Sequence, residues 1–288
     1  MRRWRAVAAV IVAVAVVAGI FVFLRNQEIR NSPTASDGVS LNCAGAKAGG
    51  VGTLDGGLAG QCGDAGPLPA ASIAKAITAL VVMNQIGQKN PADVVYTIDR
   101  TDISYVVDSI HEDGSGRVSI LLGEKLTLQQ MLTGMLVPSS NNLADSLAYH
   151  VFGSFAEYKQ AAQQYLAANG LAGTSIGADA SGLDPGTTST VGDLFTIGQL
   201  VMQNDVLRGI VATSHADFPN MANGIDTSNQ ALGRGYEGIK TGTTDSAGGC
   251  LLFAKAVSGQ TVIGVVLGTK ADPARYDIAD RFVKWLNL

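Results

Sequence analysis

The apolar residues in the middle of the chain recur at helical spacing, with polar residues on the opposite faces. Gly170 is a stop signal at the end of one such segment, and Thr190 and Asp193 suit the first turn of another. The pattern predicts helices over residues 72–86, 127–136, 141–151, 155–168 and 191–203.

The hydrophobic period changes to that of strands after about residue 235. "EGIKTGT", "GGCLLFAKAV" and "TVIGVVLGT" are β-type runs, with Ser258 and Gly259 as a hairpin turn between the last two. A proline then opens a final helix whose Ile278, Phe282 and Trp285 share one face and should pack on a sheet. Short strands are also expected in residues 38–66. We therefore expect an α+β domain over 38–288, with a sheet from both ends of the chain and helices inserted between.

The N-terminal segment has the pattern of a membrane anchor. Three arginines among residues 1–5 precede an uncharged apolar run at 6–24, which as a helix spans about 28 Å, close to the hydrocarbon thickness of a bilayer. Basic residues before the run predict a cytoplasmic tail and an exported remainder, joined by a linker at 25–37. A cleaved signal peptide is the alternative, but no small-residue cleavage site follows the run promptly.

Composition narrows the class of partner. The net charge is −4, and no basic block lies outside the first residues, which argues against nucleic acid. The three histidines are scattered without metal-ligand spacing. Export would permit a disulfide between Cys43 and Cys62 across a glycine-rich segment, although pairing is not deducible from sequence. Cys250 lies in an apolar run and is expected to be a buried free thiol.

Ser72 and Lys75 raise a chemical question, because they stand in the otherwise apolar start "PLPAASIAKAITAL". Residues three apart share a helix face, so the hydroxyl and the amine project into the same space. A buried amine can be neutral and take the proton of the serine, which is the Ser–Lys form of nucleophile activation. The alternative is a capped helix with a lysine reaching for solvent.

Two further motifs favour the catalytic interpretation. Ser139 to Asn141 lie between two predicted helices, and Lys240, Thr241 and Gly242 lie on the first late strand. Penicillin-binding proteins and class A β-lactamases carry S-x-x-K, S-D-N and K-T-G in this order. Each motif alone has a structural explanation as a cap or an edge strand, but their joint occurrence on helix, loop and strand predicts a serine acyl-transfer site.

At this point the chain resembles the D-alanyl-D-alanine carboxypeptidases, the low-molecular-weight penicillin-binding proteins of peptidase family S11. The resemblance covers residues 66–288 and includes "MLTGMLVPSSNNLAD", "DASGLDPGTTSTVGDL" and "EGIKTGTTDSAGGCLLFA". It implies a β-lactamase/transpeptidase-like fold with a five-stranded antiparallel sheet and no cofactor or metal. The implied partners are peptidoglycan stem peptides ending in D-Ala-D-Ala, β-lactam antibiotics as inhibitors, and the lipid membrane through the N-terminal helix. The resemblance does not extend to the C-terminal β-rich domain of the family, which we therefore do not expect here.

The resemblance also implies a role for each motif residue. Ser72 would attack the carbonyl carbon between the two D-alanines, and the backbone N–H groups of Ser72 and Thr243 would form the oxyanion hole. Lys75 would be the general base, Ser139 would relay protons, and Asn141 would position the substrate amide. The terminal carboxylate of the substrate would be bound by the strand motif, that is by Lys240, Thr241 and Thr243, with Gly242 between them. Arg275 would assist Lys240 in binding this carboxylate. A surface arginine at a helix start is an equally good interpretation of Arg275.

The sequence departs from the family at several positions near these motifs. Ser140 stands where glycine is common, Asn142 where an acid is common, Thr243 for a frequent histidine, and Glu237 for a usual aspartate. None of these changes removes a catalytic group.

Three rival functions remain open. A class A β-lactamase needs a further glutamate, and Glu157 and Glu237 are in the wrong setting for it. A membrane-tethered muropeptide sensor would not need the Ser–Lys pair. A transpeptidase would pass the acyl group to an amine instead of water, and the sequence separates it poorly from a carboxypeptidase.

Overall fold

The structure is a computed structural model that describes residues 40–112, 117–270 and 272–288. The predicted transmembrane helix at 6–24 and the linker at 25–37 lie outside the described residues. Within the described ranges, no helix combines the length and apolar character that crossing a bilayer requires.

Helices occupy the middle of the chain, as the hydrophobic period predicts. Local capping explains where several begin: Thr127 forms a capping box with Gln130, and Ser140, Ser154 and Thr190 each accept a hydrogen bond from a backbone N–H group in the first turn. The helices are α1 (Ala74–Ile86), α2 (Arg100–Glu112), α3 (Leu128–Leu136), α4 (Asn141–Phe152), α5 (Phe155–Ala168), α6 (Val191–Gln203), α7 (Asp205–Val211) and α8 (Asp272–Trp285).

The strands form one main sheet and three short two-stranded ladders in the described residues. They are β1 (Ala48–Thr53), β2 (Gly57–Gly63), β3 (Leu68–Pro69), β4 (Val95–Thr97), β5 (Lys125–Thr127), β6 (Thr188–Ser189), β7 (His215–Phe218), β8 (Met221–Asp226), β9 (Gly238–Thr244), β10 (Gly248–Val257) and β11 (Gln260–Thr269).

The main sheet draws on both ends of the domain, as the sequence predicts. Its five strands lie in the order β2-β1-β11-β10-β9, and every pair is antiparallel. The expected α+β class with an antiparallel sheet is thus confirmed. β9 is an edge strand of this sheet, which leaves its outer side open toward the helical region.

Successive side chains of a strand point to opposite faces of the sheet, and each face is covered by its own hydrophobic core. In β10, Leu251 and Phe253 face α8, whereas Leu252 and Ala254 face the core that includes α6. The predicted helix face is confirmed, because Ile278 and Phe282 of α8 are buried against the sheet. The sheet is therefore covered on both faces, and its rigidity holds the open edge of β9 in place.

Glycines in β1 and β2 make room for the rings of α8. A Cβ atom at Gly49 would stand 2.6 Å from Cε2 of Phe282, and one at Gly60 would stand 2.5 Å from Cη2 of Trp285. Both distances are far below normal van der Waals contact. The packing of α8 on this part of the sheet therefore requires glycine at both positions.

A disulfide bond between Cys43 and Cys62 ties the segment before β1 to β2, and the predicted pairing is confirmed. Closing a loop of this length stabilises the fold by about 3 kcal/mol on the chain-entropy estimate. Cys250 is a buried free thiol, also as predicted.

Candidate active site

Ser72 lies in a 3-10 turn, Ala71–Ile73, that leads directly into α1. The α-helix was predicted to begin at residue 72, and its α-helical part begins two residues later, at Ala74. Ala71, with a positive φ of 48°, separates this helical segment from the chain before it. Ser72 stays partly exposed, whereas Ile73 and Lys75 are buried. The turn thus presents a single hydroxyl at the surface of a buried segment.

Lys75 is fully buried one turn after Ser72. Its Nζ atom lies 2.8 Å from Ser72 Oγ, 2.7 Å from Asn141 Oδ1 and 3.0 Å from the carbonyl oxygen of Ser181. The predicted Ser–Lys contact is therefore present. The alternative of a lysine reaching for solvent is wrong, because Nζ points into the protein.

Ser139 and Asn141 enter the same space from the junction of α3 and α4. Ser139 has a positive φ of 69°, which costs a residue other than glycine about 1 kcal/mol. Ser140 is the N-cap of α4, and the side chain of Asn142 bonds both backbone groups of Val118. These contacts fix the junction so that Ser139 and Asn141 face the site.

β9 forms the opposite wall. Lys240 is buried on this strand, and its Nζ donates to Ser139 Oγ at 2.7 Å and to the carbonyl oxygen of Thr241 at 3.0 Å. Burial lowers the pKa of Lys240 well below its usual range, and the positive charges of Lys75 and Arg275 lower it further. The site therefore favours the neutral form of the Lys240 amine more than water does.

Gly242 lets this strand approach the nucleophile. A Cβ atom at this position would lie 2.9 Å from the backbone nitrogen of Ser72 and 2.9 Å from Cβ of Ala71. Only glycine permits the spacing between β9 and the turn that carries Ser72.

We expect Gly242→Ala to separate β9 from this turn and to slow acylation of Ser72 by about 10- to 100-fold, because a displacement near 1 Å disrupts a pre-aligned site. Time-resolved intact mass with a β-lactam measures the rate. Gly233→Ala is the matched control, since nothing lies within 4 Å of a Cβ atom there. An unchanged rate for Gly242→Ala would contradict the role of this spacing.

Arg275 is buried at the start of α8, so the interpretation as a surface arginine is wrong. Its Nη1 atom donates to Thr243 Oγ1 at 2.9 Å and to the carbonyl oxygens of Gly242 at 3.0 Å and Cys250 at 3.3 Å. The guanidinium therefore supports β9 and orients the hydroxyl of Thr243. A hydroxyl that accepts from arginine keeps its own proton to donate elsewhere.

A connection between α5 and α6 adds a contributor that motif reasoning missed. The carbonyl oxygen of Ser181 accepts from Lys75, and the hydroxyl of Thr78 in α1 donates to the carbonyl oxygen of Ala180 at 2.7 Å. A backbone carbonyl leaves no mark in the sequence. The family resemblance did include this segment, which begins "DASGLDPG", but it gave Ser181 no role. Gly182 in the segment has a positive φ of 82° and packs closely against Ala71.

No group of three or more His, Cys, Asp or Glu side chains in the described ranges could hold a metal ion. A partly exposed serine, a buried amine beside it and donors on the facing strand together suit nucleophilic acyl transfer.

Residues 64–271 match the profile of the D-alanyl-D-alanine carboxypeptidase family. The chain is 28% identical over 231 residues to the D-alanyl-D-alanine carboxypeptidase of Streptomyces sp. strain K15, and the alignment covers 74% of this chain and 77% of the relative. It is 31% identical over 229 residues to DacB2 of Mycobacterium tuberculosis, covering 75% and 73%. With DacC of Escherichia coli the identity is 27%, and the match spans 76% of this chain but only 55% of the relative.

The fold is also similar to those of solved structures. A D-alanyl-D-alanine carboxypeptidase from Mycobacterium tuberculosis superimposes with a TM-score of 0.76 at 25% identity, covering 88% of this chain and 95% of the other. The Streptomyces K15 DD-transpeptidase has a TM-score of 0.75 at 24% identity, covering 86% and 99%, and supports the fold.

Proposed function

The chain belongs to the D-alanyl-D-alanine carboxypeptidase family, and on this premise we propose that Ser72 is the nucleophile that removes the terminal D-alanine from peptidoglycan stem peptides. The protein is a hydrolase of the serine peptidase kind. One observation carries the proposal: Lys75 Nζ lies 2.8 Å from Ser72 Oγ while both sit opposite Lys240 on β9.

Lys75 is suited to act as the base because of its two carbonyl neighbours. A neutral amine has two N–H groups and one lone pair. The oxygens of Asn141 and Ser181 can accept both N–H groups, which directs the lone pair at Ser72 Oγ. Ser72 then bonds to the carbonyl carbon of the scissile amide, and its proton moves to Lys75.

The oxyanion that forms in this step needs donors that are already in place. We assign them to the backbone N–H groups of Ser72 and Thr243, one from the nucleophile turn and one from β9. The close approach at Gly242 supports this assignment. When the tetrahedral intermediate collapses, the amide bond breaks and the leaving D-alanine takes a proton that Lys75 and Ser139 relay. Water then repeats the sequence on the acyl-enzyme and frees Ser72.

The terminal carboxylate of the substrate is assigned to Lys240, Thr241 and Thr243. A carboxylate next to Lys240 would restore its ammonium form, offsetting the effects of burial and of Lys75 on its pKa. Arg275 acts here through Thr243, because it donates a hydrogen bond to the hydroxyl of this residue and so orients it. We therefore propose Arg275 as a positioning residue for carboxylate recognition.

The rival functions find less support. The β-lactamase interpretation needs a glutamate beside the acyl-enzyme, but Glu157 accepts from Ser154 at the start of α5 and Glu237 precedes β9 outside the motif. The sensor interpretation does not account for the alignment of Lys75 with Ser72. Transfer to an amine acceptor remains the alternative outcome of the same acyl-enzyme.

The cellular location is also part of the proposal. The arginines before the apolar run at 6–24 support a single-pass anchor in the cytoplasmic membrane with the catalytic domain on the outer side. This location would bring the site to peptidoglycan.

The test uses the full-length protein in detergent with benzylpenicillin and, separately, with a peptide ending in D-Ala-D-Ala. We expect one persistent penicillin adduct on Ser72 and release of free D-alanine. Rapid consumption of penicillin without an adduct would support a β-lactamase, and no reaction with either compound would support a sensor. Added glycine as acceptor separates the last alternative, since a transpeptidase would form the exchanged peptide.

A further inference from the structure

The carboxylate of Asp179, in the connection between α5 and α6, is enclosed by the loop that follows it. Its Oδ1 atom accepts from the backbone nitrogens of Ser181 at 2.7 Å, Gly182 at 2.6 Å and Leu183 at 3.2 Å, and from Ser181 Oγ at 2.8 Å. Its Oδ2 atom accepts from the backbone nitrogen of Asp184 at 2.6 Å. One side chain thus sets the backbone direction of the whole loop.

The direction of the N–H groups fixes the direction of the carbonyls. In a planar trans peptide the N–H and C=O groups point opposite ways. Because the N–H groups of Ser181 and Gly182 point at Asp179, the carbonyls of the same two peptide groups point away from it. One reaches Thr78 Oγ1 at 2.7 Å, and the other, that of Ser181, reaches Lys75 Nζ at 3.0 Å.

The loop is also held tightly against the nucleophile turn. A Cβ atom at Gly182 would stand 2.1 Å from the carbonyl oxygen of Ala71, and Asp145 of α4 accepts from the backbone nitrogen of Ala180 at 3.0 Å. Ser181 is only 1% exposed. The carbonyl that meets Lys75 therefore has little freedom to turn elsewhere.

From this geometry we infer that Asp179 is a positioning residue for the general base: it holds the Ser181 carbonyl so that this group takes one N–H of Lys75 and leaves the lone pair facing Ser72. The inference rests on the proposed role of Lys75. A carboxylate that accepts the N–H of a peptide group also polarises its carbonyl, which strengthens the bond to Lys75. Lys240 on β9 and Asp145 on α4 are further charged groups near Lys75 and the loop.

The variant Asp179→Asn tests the inference. Its amide can accept at only one atom and places an NH₂ group against N–H donors, so the loop must rearrange. We expect Ser72 acylation by benzylpenicillin to slow by about 10- to 100-fold. The acidic limb of the rate–pH profile should also move to lower pH, because an ammonium form of Lys75 loses a carbonyl acceptor.

Asp193→Asn is the matched control. This carboxylate also accepts a hydrogen bond in the same part of the chain, from Thr174 Oγ1 at 2.8 Å, but does not support the carbonyl that meets Lys75. We expect its acylation rate and pH profile to match those of the unchanged protein within about threefold.

Three outcomes would overturn the inference: an unchanged rate for folded Asp179→Asn, a slower rate without movement of the acidic limb, or the same changes in Asp193→Asn. If Asp179→Asn does not fold, Asp179→Ser, which retains one acceptor, is measured by the same two readouts. If the unchanged protein forms no adduct on Ser72, the proposed function fails together with the inference. An adduct in the unchanged protein separates the two failures.

Discussion

We expect Ser72→Ala to eliminate the penicillin adduct and to lower the release of D-alanine by on the order of 10⁴-fold or more, because no other group replaces the nucleophile. Ser72 is partly exposed, and its hydroxyl contacts Lys75 at the mouth of the site. The loss of one oxygen there leaves no buried cavity, so the thermal midpoint should stay within about 2 °C of the original. Intact mass after incubation with benzylpenicillin gives the result directly.

Ser246→Ala is the control for this experiment. Ser246 lies exposed in the turn after β9, and its hydroxyl lies 3.2 Å from that of Thr244, outside the site. The control should form the adduct at the original rate. An adduct in Ser72→Ala, or D-alanine released at the original rate, would place the nucleophile elsewhere.

Lys75→Met should slow acylation by on the order of 10³-fold while leaving the protein folded, because it removes the base but keeps the length of the side chain. Two effects on stability oppose each other. Replacing a buried amine by an apolar group of similar size is often neutral or favourable, whereas the oxygens of Asn141 and Ser181 lose a donor. We expect the free energy of unfolding to change by less than about 2 kcal/mol.

Lys159→Met provides the comparison, since Lys159 also donates to a backbone carbonyl, that of Gly177, at 2.8 Å but lies outside the site. It should react with benzylpenicillin at the original rate. Rapid acylation of Lys75→Met would show that another group takes the proton of Ser72. A loss of more than about 2 kcal/mol in the free energy of unfolding, measured in urea, would show that the amine is structural.

The parts of the fold that the sequence predicted are those with strong local signals. The helices predicted at 127–136, 141–151, 155–168 and 191–203 are found within one residue of these bounds, and the turn at Ser258 and Gly259 joins β10 to β11. Hydrophobic period and capping are local properties, so they are visible without the fold.

The elements that the sequence did not predict depend on distant partners. Helix α2 contains Asp102, an acid that is fully buried because His150 of α4 and the backbone nitrogen of Asp99 bond it. An acidic residue in the interior breaks the apolar pattern of the helix, and its partner lies far along the chain. The hairpin of β7 and β8 was missed as well, since its turn at Asn220 joins strands with little alternation.

The same distinction applies to the site. Side chains in motifs, such as Lys75, Asn141 and Lys240, could be predicted because residue type carries their chemistry. The buried setting of Arg275 and the contribution of the Ser181 carbonyl could not, because each depends on where the backbone runs after folding. The role inferred for Asp179 belongs to this second group.

The order of strands in the main sheet has a consequence for how the protein matures. β1 pairs with β11, which joins residues such as Ala48 and Leu267, about 220 positions apart, and a topology of such long-range pairings folds slowly. Ser72 follows the early strands and Lys240 belongs to the late ones, so the two walls of the site meet only when the sheet closes. A partly synthesised chain carries the serine and its base without the strand that opposes them. We therefore expect an unfinished chain to stay unreactive until β9 has been added to the sheet.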